Sequence, residues 1–118
     1  MNYDEYGKVK FQGLVDKRNI MMLLGCYCNF PRYLKDENYT TVENDYGDSF
    51  HKKIWGALVN ISKKTNVNKI TAIEIENEIS LFKASYDVWK ANDGFKYIER
   101  AIELTKDKIF SVLSPTFK

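Results

Sequence analysis

The sequence holds one histidine, two cysteines and two prolines in 118 residues, and neither sign of charge dominates. Each scarcity closes off a class of function. Cys26 and Cys28 stand two apart, a spacing that on a helix directs them to nearly opposite sides and disfavours a disulfide between them. With a lone histidine and no second cysteine pair, the ligand spacing of a metal site is missing, and neither metal nor cofactor is expected. Eighteen basic residues stand against sixteen acidic ones, a net charge of +2. That is too little to draw the chain strongly to nucleic acid or anionic lipid. No apolar run is long enough to span a bilayer, and Met1-Asn2-Tyr3-Asp4-Glu5-Tyr6 lacks the basic and apolar stretches of a secretion signal. A cytoplasmic protein with no membrane partner is the expectation.

What is present is aromatic and helical. Eight tyrosines, seven phenylalanines and two tryptophans imply either an aromatic-rich core or rings exposed at a contact surface. Residues 1–17 are polar apart from a brief alternation at Lys8-Val9-Lys10-Phe11-Gln12, which reads as a short extended arm. From Asn19, Ile20, Leu23, Leu24 and Tyr27 fall on one helical face, and Pro31 disfavours helix at Phe30. Pro31 can itself open a short turn through Tyr33 and Leu34. Residues 35–49 read as a loop that Tyr39, Val42 and Tyr46 attach to the core. Asp48 or Ser49 then caps a helix over 50–64 with an inner stripe of His51, Ile54, Trp55, Leu58 and Ile61. Thr71 and Glu74 form a capping box between Ile70 and Ile75, which predicts a helix whose inner face runs through Ile75, Ile79 and Phe82. A short helix over 85–91 and a turn at Asn92-Asp93-Gly94 follow. From Ile98 through Ala101, Ile102, Thr105, Ile109, Val112 and Leu113 helical spacing is unbroken until Ser114-Pro115, a helix of about twenty residues and roughly 30 Å. The fold class is all-α: a compact multi-helix bundle with a long C-terminal helix. The arm occupies 1–17, the helical domain 18–114, and a tail or linker 115–118.

Four segments in order carry a resemblance. Leu24-Gly25 leads to Pro31; His51-Lys52-Lys53-Ile54-Trp55-Gly56-Ala57-Leu58 opens a helix. Ile70-Thr71-Ala72-Ile73 starts the next, and Asp93-Gly94-Phe95-Lys96-Tyr97-Ile98 opens the last. Their sequence and spacing resemble the N-terminal domain of DnaB-type replicative DNA helicases over residues 18–105. That resemblance implies a domain that does no chemistry: it forms the collar of a ring and contacts primase or a helicase loader. Leu24, Gly25, His51, Ile54, Trp55, Leu58, Gly94, Tyr97 and Ile98 would be its framework. Two departures stand out. Asp93 replaces the first of the family's two glycines, and Leu104-Thr105-Lys106-Asp107 offers no proline or glycine for the turn of the family's dimerising hairpin. No G-x-x-x-x-G-K-[ST] phosphate loop occurs, so any motor would lie beyond Lys118.

Candidate sites follow from the same reading. His51 is the obvious general base, but its neighbours are lysines, and an inner-stripe histidine is more often structural. Glu74, Glu76 and Glu78, at alternate positions, do not converge on a helix and read as a solvated acidic face. The lysines at 52, 53, 63, 64 and 69 make at most a weak phosphate patch, without aromatic–basic interleaving. Trp55 and Trp89 read as core, Trp89 less firmly because it adjoins a surface turn. The stripe of Ile109, Phe110, Val112 and Leu113 on the last helix has two equal readings: an interaction surface through which the chain would self-associate, or a face that folds back on Val9 and Phe11 of the arm. Two alternatives remain: a stand-alone replication adaptor or helicase modulator, and a small DNA-binding module using the 50–64 helix.

Overall fold

The computed structural model describes residues 17–64 and 66–107, and among them every regular element is helical. The order is α1 (Lys17–Asn29), 3-10 turns at Pro31–Leu34 and Glu43–Asp45, α2 (Ser49–Lys64), α3 (Ala72–Ile79), α4 (Lys83–Ala91) and α5 (Gly94–Thr105). The all-α reading holds. The arm before Lys17 and the stripe at Ile109, Phe110, Val112 and Leu113 lie outside the described residues. So does the rest of the expected long C-terminal helix, whose described part ends at Thr105 and passes into a turn at Lys106 and Asp107.

The central element is α1. Every residue from Met22 to Asn29 is buried, Cys26 and Cys28 included, so the C-terminal two turns of this helix are covered on all sides, as the apolar run over 22–28 requires. Neither cysteine is in a disulfide, and both side chains fill core space. Burial pushes the Cys28 thiol well above its usual range, so it stays protonated and inert. The helix stops where Pro31 forbids continuation, and Pro31 opens the following 3-10 turn. Along α1 packs α5 most extensively, with α2 beside it; α3 rests on α2 and α5, and Ile54, Leu58 and Ile61 of α2 join Ile75 and Ile79 of α3 in one buried core. Each of these side chains contributes on the order of 1.5–3 kcal/mol by leaving water.

Local signals set the helix boundaries. Asp48 Oδ1 accepts the His51 backbone N–H at 2.9 Å, capping α2. Thr71 and Glu74 complete the expected capping box: Thr71 Oγ1 accepts from Glu74 N–H at 3.2 Å, and Glu74 Oε1 accepts from Thr71 N–H at 2.8 Å. The loop before α2 is held by the Tyr27 hydroxyl, which donates to the Tyr39 carbonyl at 2.7 Å, and by the Thr41–Tyr46 hydroxyl pair at 2.7 Å. Tyr39 and Tyr46 therefore hold the loop as expected, while Val42 does not: it is exposed, and its N–H donates to Asp45 Oδ2 at 2.7 Å.

Candidate functional site: a converging framework and an exposed corner

Of the framework residues named from sequence, Gly25 and His51 reach α5, and Gly94, Tyr97 and Ile98 lie on it. Gly25 faces Ala101 so closely that a methyl group at Gly25 would collide with the Ala101 carbonyl and come within 2.6 Å of Thr105 Oγ1. The absent side chain is what lets α1 and α5 approach. One turn later Asn29 fastens the same seam. Its Nδ2 donates to the Ile102 carbonyl and to Thr105 Oγ1, both at 3.0 Å, and Thr105 in turn donates to the Ala101 carbonyl at 2.7 Å. Buried amide and hydroxyl groups are thereby satisfied across the contact.

His51 ties α2 to α5. Its Nδ1 lies 2.8 Å from Asp48 Oδ1 and its Nε2 lies 3.0 Å from the Tyr97 hydroxyl. Burial, reinforced by the Asp48 charge, raises the Tyr97 phenol well above its ordinary range and keeps it a neutral hydrogen-bonding partner. Phe50 packs edge-on to Tyr97, with centroids 5.0 Å apart, and 6.5 Å from the Trp89 ring. Trp89 is core, not surface: it is buried, and its indole N–H donates to Glu76 Oε2 at 3.2 Å. Gly94 lies against the Trp89 ring, where a Cβ would overlap the indole. Asp93, at the position where the resemblance expects glycine, takes the left-handed conformation with φ 51°. Aspartate is one of the few non-glycine residues that tolerate it.

Other expectations change. Trp55 is only half-buried, at the edge of the α2 stripe beside Tyr46, while Phe50 and Ala57 join the buried face. Glu74, Glu76 and Glu78 are half-buried and engaged rather than a solvated face. Glu74 caps its own helix, Glu76 receives Trp89, and Glu78 accepts from Lys64 Nζ at 2.6 Å.

Phe82 departs furthest from expectation. The periodicity places it on the inner face, yet α3 ends at Ile79, Ser80 Oγ turns back to the Asn77 carbonyl at 2.8 Å, and the chain swings outward. Leu81 and Phe82 are consequently 65% and 63% exposed, and Ile73 on α3 is 59% exposed. Phe82 borders an open cleft of about 180 Å³, with Lys52, Lys53, Gly56 and Ala57 of α2 on its other wall. Sequence offered one clue to this corner: an apolar pair placed directly after a serine where the helical period ends. Among the described residues no group of three or more His, Cys, Asp or Glu side chains is placed to hold a metal ion. No helix among them is long and apolar enough to cross a membrane.

An SPbeta prophage-derived uncharacterized protein, YorI, of Bacillus subtilis (strain 168) is 27% identical over 92 residues, covering 77% of this chain and 18% of that protein. The chain thus spans less than a fifth of that relative's length. No protein-family profile and no solved structure matches the chain. The resemblance to the DnaB-type domain therefore rests on the four ordered segments.

Proposed function

We propose that this chain is a non-catalytic assembly and partner-binding domain of a replicative DNA helicase, acting in the cytoplasm to build a ring collar and to contact primase or a helicase loader. The observation that carries the reading is the convergence on α5. Gly25, His51, Gly94 and Tyr97, the residues that mark the resemblance, sit at the contacts that position that helix. The buried imidazole, with Asp48 and Tyr97 at its two nitrogens, suits a structural tie better than a general base. A much longer prophage protein as a relative agrees with a domain working inside a larger machine. The mechanism is burial of apolar surface between helices, with Ile109, Phe110, Val112 and Leu113 as the self-association stripe.

The gene itself provides a test. If it reads on past codon 118 into a G-x-x-x-x-G-K-[ST] loop, the helicase reading stands. If it stops there, the chain is instead a stand-alone replication adaptor or modulator of a host helicase.

A further inference from the structure

The contacts around the first 3-10 turn point to a second kind of surface. Pro31 forces Phe30 out of helical geometry, to φ −136° and ψ 68°, and starts a tight turn that brings Arg32 back over two rings. The Arg32 guanidinium carbon lies 5.4 Å from the Phe30 centroid and 4.8 Å from that of Tyr33. Tyr33 packs edge-on to Tyr39 at 5.1 Å. From the other side, the Ile70 N–H donates to the Cys28 carbonyl at 2.8 Å, which holds the segment before α3 against the end of α1. This places Lys69 Nζ 5.9 Å from the Phe30 centroid. The series Lys69, Phe30, Arg32, Tyr33 alternates cations and rings and ends against the Tyr39 ring, an interleaving that the linear sequence conceals because Phe30 and Lys69 are far apart in it. Beside the series lies an open cleft of about 280 Å³, lined by Pro31, Arg32, Lys35, Ser62, Asn66 and Val67. Arg32 and Lys35 make no ion pair among the described residues. Of the nearby acids, Asp36 accepts the Asn38 N–H at 2.9 Å, and Glu37 points to solvent.

We propose that this cation–aromatic face binds single-stranded nucleic acid, with Arg32 as the stacking platform and Lys35 and Lys69 as phosphate contacts. A guanidinium plane held over rings offers a flat face for an unpaired base, and every base has one. The cleft supplies a concave apolar wall, Pro31 and Val67, with the Asn66 amide to meet a base edge. An acidic peptide would use the charges but gain nothing from the planar stack, and a duplex keeps its bases unavailable to it. The site does not depend on the assembly reading, since none of its residues belongs to α5 or to the stretch beyond it.

The test is fluorescence anisotropy of a labelled twenty-residue oligothymidylate against the full chain. At 50 mM salt the dissociation constant should fall between about 1 and 100 µM, and two phosphate contacts predict roughly sevenfold weakening at 200 mM. Arg32→Lys keeps the charge and removes the plane, and it should weaken binding about tenfold. Arg32→Ala combined with Lys35→Ala should weaken it further. Lys52→Ala with Lys53→Ala, on the opposite wall of α2, should change it less than about twofold. Unchanged circular dichroism shows that the exposed Arg32 variants remain folded. The proposal is overturned by absence of binding at 50 mM salt, by an Arg32→Lys protein that binds like the parent, or by equal loss in the Lys52/Lys53 variant. Displacement of the oligonucleotide by polyglutamate as readily as by unlabelled oligothymidylate would also overturn it, in favour of an acidic-peptide site.

Discussion

Along the α1–α5 seam no apolar side chain of Leu24, Ile98 or Ala101 reaches solvent, whereas at the α3–α4 corner Leu81 and Phe82 stand about two-thirds exposed. The two regions lie in the same small domain and both contain aliphatic residues at helical spacing. What separates them is the geometry of approach. At the seam, a glycine removes the side chain that would hold two backbones apart, and Asn29 and Thr105 satisfy the polar groups that the approach buries. At the corner, a serine ends α3 two residues before the pattern would have turned inward, and the apolar pair follows the chain out. A seam of this kind makes the fold; an exposed apolar corner leaves it free to meet something else.

The comparison gives an order of expected effects. Gly25→Leu should be the most destructive change, costing more than about 3 kcal/mol in urea unfolding because the Ala101 backbone cannot move aside. Gly25→Ala should cost about 2 kcal/mol despite alanine's better helix propensity. A stabilised Gly25→Ala protein would mean that the seam is looser than described.

Gly94→Ala should cost about 1–3 kcal/mol by displacing the Trp89 ring. Asp93→Gly, one residue earlier, should have the opposite sign and add up to about 1 kcal/mol by relieving the left-handed backbone. The pair is therefore a sign test on adjacent positions, read by thermal melting. Tyr97→Phe should cost about 1 kcal/mol, the worth of the hydrogen bond to His51.

Alkaline pH should also weaken the fold. Burial raises the Tyr27, Tyr46 and Tyr97 phenols well above their ordinary value, so the unfolded chain loses these protons first, near pH 10. Their contribution is fully present below that pH, and stability should fall as pH rises through 10 and beyond. Urea midpoints at pH 8 and pH 10.5 check the direction, and equal midpoints would contradict it.

The smallest change in stability is expected at the corner. Leu81→Asp together with Phe82→Asp should shift the unfolding free energy by no more than about 0.5 kcal/mol, the usual range for exposed positions. A loss of 2 kcal/mol would show that the corner belongs to the core.

The features legible in sequence were those that act within a few residues. The capping box at Thr71 and Glu74, the stop at Pro31, the cap at Asp48 and the stripe of Ile54, Leu58 and Ile61 each follow from local stereochemistry or helical period. Features that depend on a distant partner were hidden. Nothing near Glu76 announces that Trp89 will donate to it, and nothing near Gly25 announces Ala101. Phe82 was misplaced because periodicity assumes that the helix continues, and α3 does not. Glycines proved informative in a way that periodicity is not, since Gly25 and Gly94 each mark a contact where any side chain would clash.

If the domain works by association as proposed, sedimentation velocity of the full chain at about 100 µM reveals it, since that exceeds a micromolar dissociation constant about a hundredfold. The prediction is a dimer or larger species that becomes monomeric when Ile109→Asp and Val112→Asp are combined, with the circular dichroism spectrum unchanged. If instead the Leu81/Phe82 variant alone dissociates it, the contact lies at the α3–α4 corner and the last-helix assignment is wrong. A parent chain that is monomeric throughout, or one whose association survives both pairs of changes, would contradict the claim.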